Sequence, residues 1–206
     1  ALCDTNGSSL PHEIAAATGA VVGLLGADGA SVGIHTHNDA ECGVANAIEA
    51  VRAGASMVQG TINGYGERTG NADLFAVIGN LETKLGLRVL PDGRLTEMVR
   101  VSHALADIAN LPPDTHQAYV GVSAFAHKAG LHASAIKVNA DLYNHMDPEL
   151  VGNDMRILVT EMAGRATVEL KGRELGIDLS NDPDVLTRVV ERVKDLEAGG
   201  WTFEAA

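Results

Sequence analysis

Short apolar runs alternate with helix-like segments along the first half of the chain. Each apolar run has the length of a strand, and each helix-like segment carries apolar residues at helical spacing. In chain order the predicted elements are a strand at residues 1–4, a helix at 11–25, a strand at 31–37, a helix at 44–53 and a strand at 56–59. Such alternation with short connections predicts a parallel sheet covered by helices, and therefore an α/β fold.

The pattern changes near Asn110. Helices are predicted at residues 72–85 and 95–110, before this point, and an extended stretch that begins at Leu111-Pro112 and reaches Val122 follows it. Further on, the sequence predicts a short helix after residues 127–132, a loop with one helical turn at 143–152, and two closing helices at 164–175 and 183–198. We therefore expect an α/β part over residues 1–110 and a mainly helical part over residues 111–206.

Composition restricts the partners that such a chain can have. The 206 residues carry a net charge of −12 at pH 7, which disfavours nucleic acid and anionic membranes. No run of about 18 apolar residues is present, so no membrane span is predicted. The two cysteines, Cys3 and Cys42, fit reduced residues of a cytoplasmic protein better than a disulfide framework. An anionic substrate would need a metal ion or an arginine.

The second predicted strand ends in a His-x-His pair, His35 and His37. Residues two apart on a strand point to the same face, so both imidazoles can reach one divalent metal ion. Taken alone, the pair also fits two ordinary strand histidines. The next strand leads into a loop rich in glycine and polar side chains, residues 60–71 (GTINGYGERTGN). In α/β proteins sites form where strands end, so the two features together favour a metal site.

Several segments together resemble the family of acetyl-CoA-dependent 2-oxoacid synthases, which contains 2-isopropylmalate, homocitrate and citramalate synthases. They are LCDTNG at residues 2–7, HTHND at 35–39, the glycine loop at 60–71, HKAGLH at 127–132, DPELVG at 147–152 and EMAGR at 161–165. Residues 111–128 and 200–206 are similar to the citramalate synthase branch in particular. Between the two histidines this chain has Thr36, where the family has cysteine or serine.

The resemblance implies a TIM (β/α)8 barrel followed by small helical subdomains and a regulatory domain. On that plan the chain holds about three β/α units, the C-terminal part of the barrel, and then the helical subdomains. A barrel needs eight strands to close. We therefore expect an internal fragment of a longer enzyme, with the N-terminal barrel half and the regulatory domain outside it, and expect the fragment to be inactive alone.

The resemblance also implies a ligand set for the metal. His35, His37 and Asn71 match three family ligands, and the fourth, an aspartate, belongs to the first barrel strand. Nitrogen and oxygen ligands with open positions for substrate suit Zn, Mn or Mg. The ion would bind the ketone and carboxylate oxygens of a 2-oxoacid and make its carbonyl electrophilic.

Other residues acquire roles from the resemblance, each with an ordinary alternative. Thr5 matches the threonine that binds the substrate carboxylate, although it could simply cap the next helix. Glu67 matches a glutamate on the acetyl-CoA side of the site, although it could only pair with Arg68. His132 and Tyr143 match residues that reach the barrel mouth of a neighbouring subunit and assist proton transfer; His127 is the rival to His132.

The implied activity is condensation of acetyl-CoA with a 2-oxoacid, pyruvate in the branch that the chain resembles, by a cytoplasmic homodimer of branched-chain amino-acid biosynthesis. A 2-isopropylmalate or homocitrate synthase, or a lyase of the same superfamily, remains an alternative within the enzymes. A non-catalytic ligand-binding or interaction module is the alternative of another class.

Overall fold

The chain divides into two compact units, Ala1–Gly121 and Val122–Ala206. The computed structural model describes residues 1–25, 29–127, 139, 142–158, 164–179, 182–201 and 203. Residues 111–121 lie with the first unit, whereas the sequence predicted the second part to begin at Leu111. Among the described residues, no helix combines the length and the apolar character needed to cross a bilayer.

The first unit is a parallel three-stranded sheet with helices between its strands. The strands are β1 (Leu2–Asp4), β2 (Gly33–Thr36) and β3 (Met57–Gln59), in the order β1-β2-β3, and the helices are α1 (Pro11–Leu25), α2 (Gly43–Arg52), α3 (Leu74–Thr83) and α4 (Met98–Ala109). In register, His35 lies beside Cys3 on one side and Gln59 on the other. The predicted α/β class is therefore confirmed for this unit.

Small apolar side chains bring the helices close to the sheet. Ile34 on β2 packs with Ile14 from α1 and Ala50 from α2, and a second cluster joins Ala47 to Val77. The buried residues of α2 recur at helical spacing, so this helix turns one alanine-rich face inwards. Burial of an isoleucine such as Ile34, which is 1% exposed, contributes about 1.5–3 kcal/mol.

The ends of several helices differ from the predicted limits for local reasons. Helix α3 begins only at Leu74, because the carboxylate of Asp73 caps it by accepting from the Phe75 amide at 3.0 Å. A 3-10 turn, Leu95–Glu97, precedes α4, which stops at Ala109 because Asn110 is left-handed with φ 54°.

The segment after α4 is extended only at its start. Two consecutive prolines hold residues 111–114 without regular structure, but turns occupy most of 115–121. The side chain of Asp114 accepts from the backbone of His116 at 2.9 Å, which is the local turn that ends the extended stretch. The prediction of an extended conformation as far as Val122 is therefore wrong.

The second unit contains two α-helices, a 3-10 helix (Pro148–Val151), which matches the helical turn predicted within residues 143–152, and a short parallel strand pair in its described part. The strands are β4 (Ala126–His127) and β5 (Arg156–Ile157), and the helices are α5 (Arg165–Glu174) and α6 (Pro183–Ala198). The limits predicted for the last helix are confirmed: Asp182 caps it by accepting from Val185 at 3.0 Å, and proline occupies the first turn. The strand pair was not predicted. The short helix predicted after residues 127–132 lies outside the described residues.

Candidate metal centre

The two histidines at the end of β2 face the same point. Their Nε2 atoms are 3.3 Å apart, and their rings are tilted by 60°. Thr36, between them, points to the opposite side and is fully buried. Its hydroxyl donates to the carbonyl of Gly43 at 2.8 Å, which attaches the end of β2 to the first turn of α2. The strand therefore fixes both imidazoles by anchoring the residue between them.

Asn71 completes a triangle with the histidines. A bridge pairs its backbone with His37, and its side chain is almost buried. The amide Nδ2 lies 3.0 Å from Nε2 of His35 and 3.4 Å from Nε2 of His37. A half-turn of the amide places Oδ1 at the same position, where it offers an oxygen to a cation.

The size of this triangle fits a single divalent ion. Donor atoms that bind one ion at about 2.1 Å, with angles of about 90–110°, lie about 3.0–3.4 Å from one another. The three observed separations, 3.0, 3.3 and 3.4 Å, cover that range. His35, His37 and Asn71 therefore present two imidazole nitrogens and one amide group at the spacing that a common metal ion requires.

The two ring nitrogens of His37 have different surroundings. Its Nδ1 is buried and, within the described part of the chain, has no hydrogen-bond partner. A proton on Nδ1 would leave the Nε2 lone pair directed at the centre of the triangle, but no described residue provides the acceptor that this proton normally has in a metal-bound histidine. The described residues hold no cluster of three or more His, Cys, Asp or Glu side chains. The triangle is therefore a partial ligand set that needs at least one more donor.

The glycine loop wraps its backbone tightly around Asn71. The amide of Asn71 donates to the carbonyl of Gly64 at 3.2 Å, and Gly70 accepts from the Asn38 amide at 2.9 Å. A Cβ atom on Gly66 would lie 2.1 Å from Oδ1 of Asn71, so only glycine leaves room for the ligand side chain there. The loop sequence thus serves to place Asn71 beside the end of β2.

Arg68 joins the segments that follow all three strands. Its guanidinium donates to both carboxylate oxygens of Asp39, at 2.6 and 3.0 Å, and to the carbonyl of Thr5 at 2.9 Å. The hydrogen bond from Arg68 lowers the pKa of Asp39, and Asp39 in turn raises the pKa of Arg68. Both side chains are therefore charged at neutral pH. They form a bidentate ion pair that connects the segments after the strands, and we call this pair the Arg68–Asp39 clamp.

Sequence reasoning missed this clamp. The sequence predicted an ion pair of Arg68 with Glu67 only. The Glu67 carboxylate lies 4.0 Å from the Arg68 guanidinium, and the Glu67 side chain is 88% exposed. The available signal was an acidic residue after one strand and a basic residue after the next, because parallel strands bring their carboxyl ends to one edge. The backbone carbonyl of Thr5 accepts a hydrogen bond from Arg68, whereas the side chain of Thr5 is exposed.

The residues expected to assist proton transfer belong to the second unit. Tyr143 is 40% exposed, and its ring meets that of His127 edge-on at a centroid separation of 6.4 Å. His127 Nε2 lies 2.8 Å from Oδ1 of Asn144, within hydrogen-bond distance. His132 lies outside the described residues. The structure thus brings together His35, His37 and Asn71 within the first unit.

The sequence of the chain matches two known protein families and several known proteins. Residues 1–105 match the model of the HMGL-like family, and residues 119–200 match that of the homocitrate synthase post-HMGL domain-like family. The chain is 63% identical over 205 residues to an (R)-citramalate synthase of Streptomyces coelicolor, covering all of this chain and 38% of that protein. It is 36% identical over 196 residues to a 2-isopropylmalate synthase of Campylobacter concisus, covering 94% of this chain and 38% of that protein.

Among solved structures, an HMG-CoA lyase from Acenitobacter baumannii in complex with coenzyme A and 3-methylmalate matches with a TM-score of 0.47 at 21% identity. That match covers 56% of this chain and 38% of the lyase chain. The chain spans 38% of the length of the curated relatives cited above.

Proposed function

The chain belongs to the HMGL-like family, and from this premise we propose that the full-length protein condenses acetyl-CoA with pyruvate to give (R)-citramalate and free CoA. The observation that carries the proposal is the 63% identity to a citramalate synthase across the whole chain. The 2-isopropylmalate synthase is more distant at 36% identity, which favours pyruvate over a branched 2-oxoacid.

In this proposal the three strands belong to a TIM barrel. The parallel order β1-β2-β3, with a helix after each strand, is the arrangement expected of consecutive β/α units. Residues 1–110 would form the C-terminal part of the barrel, and residues 111–206 would form helical linker subdomains. The carboxyl ends of the strands, where the His35, His37 and Asn71 triangle lies, would then face the mouth of the barrel, where such enzymes bind substrate.

A divalent metal ion, Zn, Mn or Mg, would be held by His35, His37 and Asn71. The support is the separation of the three donors, 3.0–3.4 Å. When bound, such an ion supplies Lewis-acid polarisation of the 2-oxoacid carbonyl. The clamp of Arg68 and Asp39 would keep the strand ends, and hence the ligands, in register.

The remaining steps need groups that move protons. A base removes a proton from the acetyl methyl group, the resulting carbanion forms a bond to the ketone carbon of pyruvate, and the alkoxide takes up a proton; water then cleaves the thioester. We assign Thr5 to hydrogen bonding with the substrate carboxylate and Glu67 to the acetyl-CoA side. His132 and Tyr143 would donate or accept protons during the condensation.

A substrate panel tests the proposed activity. The full-length protein, expressed from its complete reading frame, is incubated with acetyl-CoA, Mn²⁺ and one 2-oxoacid, and free thiol is followed. We expect release with pyruvate to be at least about tenfold faster than with 2-oxoisovalerate or 2-oxoglutarate, because a pocket fitted to a methyl group discriminates against larger groups by about 1–3 kcal/mol. Faster release with either larger oxoacid would assign the protein to a sister synthase, and no release with any would contradict the proposal.

We further propose a cytoplasmic homodimer in which His132 and Tyr143 complete the partner's site. The test mixes two inactive full-length variants, His132→Ala and His35→Ala. Subunit exchange is expected to restore activity, at most about a quarter of the wild-type value, because half of the dimers are mixed and each holds one intact site. Exchange is followed with differently tagged subunits. Proven exchange without recovered activity would contradict the shared site.

A further inference from the structure

A partly buried hydrogen-bond network connects the glycine loop with α4 and with the segment that follows it. Oδ1 of Asn63 accepts from the Ser102 hydroxyl at 2.7 Å and from Nε2 of Gln117 at 3.2 Å. The Asn63 amide donates in return to the Ser102 carbonyl at 3.0 Å. Ser102 is 1% exposed, whereas Asn63, Asp73 and Gln117 are partly buried, so the network is shielded from water mainly on the side of α4.

Gln117 holds both ends of the loop at once. Besides Asn63, near the start of the loop, its Nε2 donates to Oδ2 of Asp73, just past the end, at 2.8 Å. A primary amide has two hydrogens to donate, and both are used here. The other oxygen of Asp73 accepts from the amide of Phe75, so this carboxylate is also fixed by the first turn of α3.

Both ends lead directly to the metal ligand. Asn63 precedes Gly64, whose carbonyl accepts from the backbone amide of Asn71 at 3.2 Å. Asp73 follows Asn71 by two positions in the chain, and its backbone pairs with Thr61 at the base of the loop. A displacement of either end therefore moves the peptide that carries the Asn71 side chain.

We propose that Gln117 is a positioning residue for Asn71, acting through Asn63 and Asp73 from the segment that leads towards the second unit. The inference rests on the proposed metal centre, which it deepens. Gln117 lies between the two stretches that match family models, residues 1–105 and 119–200, so neither match assigns it a role. Its side chain makes the orientation of a metal ligand depend on the conformation of this segment.

The test compares Gln117→Leu with Tyr119→Phe in the full-length protein. Leucine keeps most of the bulk of glutamine but donates nothing to the loop. Tyr119→Phe is the matched control, because the Tyr119 hydroxyl donates to Oδ1 of Asn80 on α3 at 3.1 Å and so anchors the same segment away from the loop. Mn²⁺ affinity of the metal-free variants is measured by calorimetry, and thermal unfolding reports on general stability.

We expect Gln117→Leu to weaken Mn²⁺ binding by about tenfold to a hundredfold, the usual effect of removing a group that orients a metal ligand. Tyr119→Phe should lower the unfolding temperature but change Mn²⁺ affinity by less than about twofold. Wild-type affinity in Gln117→Leu overturns the inference, and so does an equal loss in both variants, since general destabilisation would then explain it. If Gln117→Leu does not fold, Ser102→Ala, which removes another donor to Asn63, must weaken binding in the same direction.

His35→Ala distinguishes a failure of the proposed role of Gln117 from a failure of the proposed metal centre. A loss of Mn²⁺ binding in His35→Ala, with none in Gln117→Leu, leaves the metal centre in place and overturns the role of Gln117. Wild-type binding in His35→Ala overturns the metal centre, and the role of Gln117 fails with it.

Discussion

Replacing His35 by alanine in the full-length protein should lower both metal content and turnover by more than about a hundredfold. The change removes one of the three donors that lie 3.0–3.4 Å apart, and loss of a direct ligand exceeds the tenfold to hundredfold effect of changes beyond the ligands. Asn71→Ala should behave alike, because the same triangle loses its third member. Metal content after dialysis and thiol release from acetyl-CoA and pyruvate measure the two losses.

The matched control for His35→Ala is His12→Ala, which removes an exposed histidine from α1. Both variants should keep the circular dichroism spectrum of the wild type, since the imidazole of His35 contributes to a polar site and not to the apolar core. Wild-type metal content and turnover in His35→Ala would mean that the histidine pair is an ordinary feature of the strand end.

Gly70→Ala is the second substitution for which we expect a large effect. Gly70 has φ 91°, and a Cβ atom there would lie 1.9 Å from the carbonyl oxygen of Gly64, which itself accepts from Asn71. The conformation costs alanine about 1–3 kcal/mol, and relief of the overlap adds about 1–3 kcal/mol. The loop must open to accept the methyl group, so Mn²⁺ affinity should fall by more than about a hundredfold, as for loss of the ligand itself.

Gly86→Ala separates the cost of the positive φ from the effect of the steric overlap. Gly86 also has a positive φ, 65°, but an added Cβ would meet no atom within 4 Å. It should show only the conformational cost, by chemical denaturation, with unchanged Mn²⁺ affinity. If Gly70→Ala binds Mn²⁺ as the wild type does, or if Gly86→Ala weakens binding equally, the close packing of the loop does not set the ligand position.

The elements that the sequence predicted well are those with local signals. The limits predicted for α6 agree with the structure, and alternation of strands and helices predicted the parallel sheet. The resemblance to the citramalate synthase branch is confirmed by relatives at 44–63% identity over the whole chain. The His-x-His pair and the glycine loop could be read as parts of one site because each follows a neighbouring strand.

What the sequence could not provide are contacts between distant residues. Gln117 reaches Asn63 and Asp73 only because α4 and the turns after it bring them together, and no sequence pattern indicates this contact. The turns of residues 115–121 are formed by the side chain of Asp114 and by backbone hydrogen bonds such as that from Gly121 to Gln117, against the extended backbone that two prolines favour. The parallel strand pair of the second unit is two residues long on each side, too short for a periodic signal.

The hydrogen bond of the Thr36 hydroxyl restricts which residue types fit between the two histidines. The position needs a short side chain that donates to the carbonyl of Gly43 from a fully buried site. Serine and cysteine, which the resemblance places there, share a donor with threonine, whereas valine has the same shape and none. Relatives with the same connection between β2 and α2 should therefore vary among Ser, Thr and Cys at this position and exclude Val.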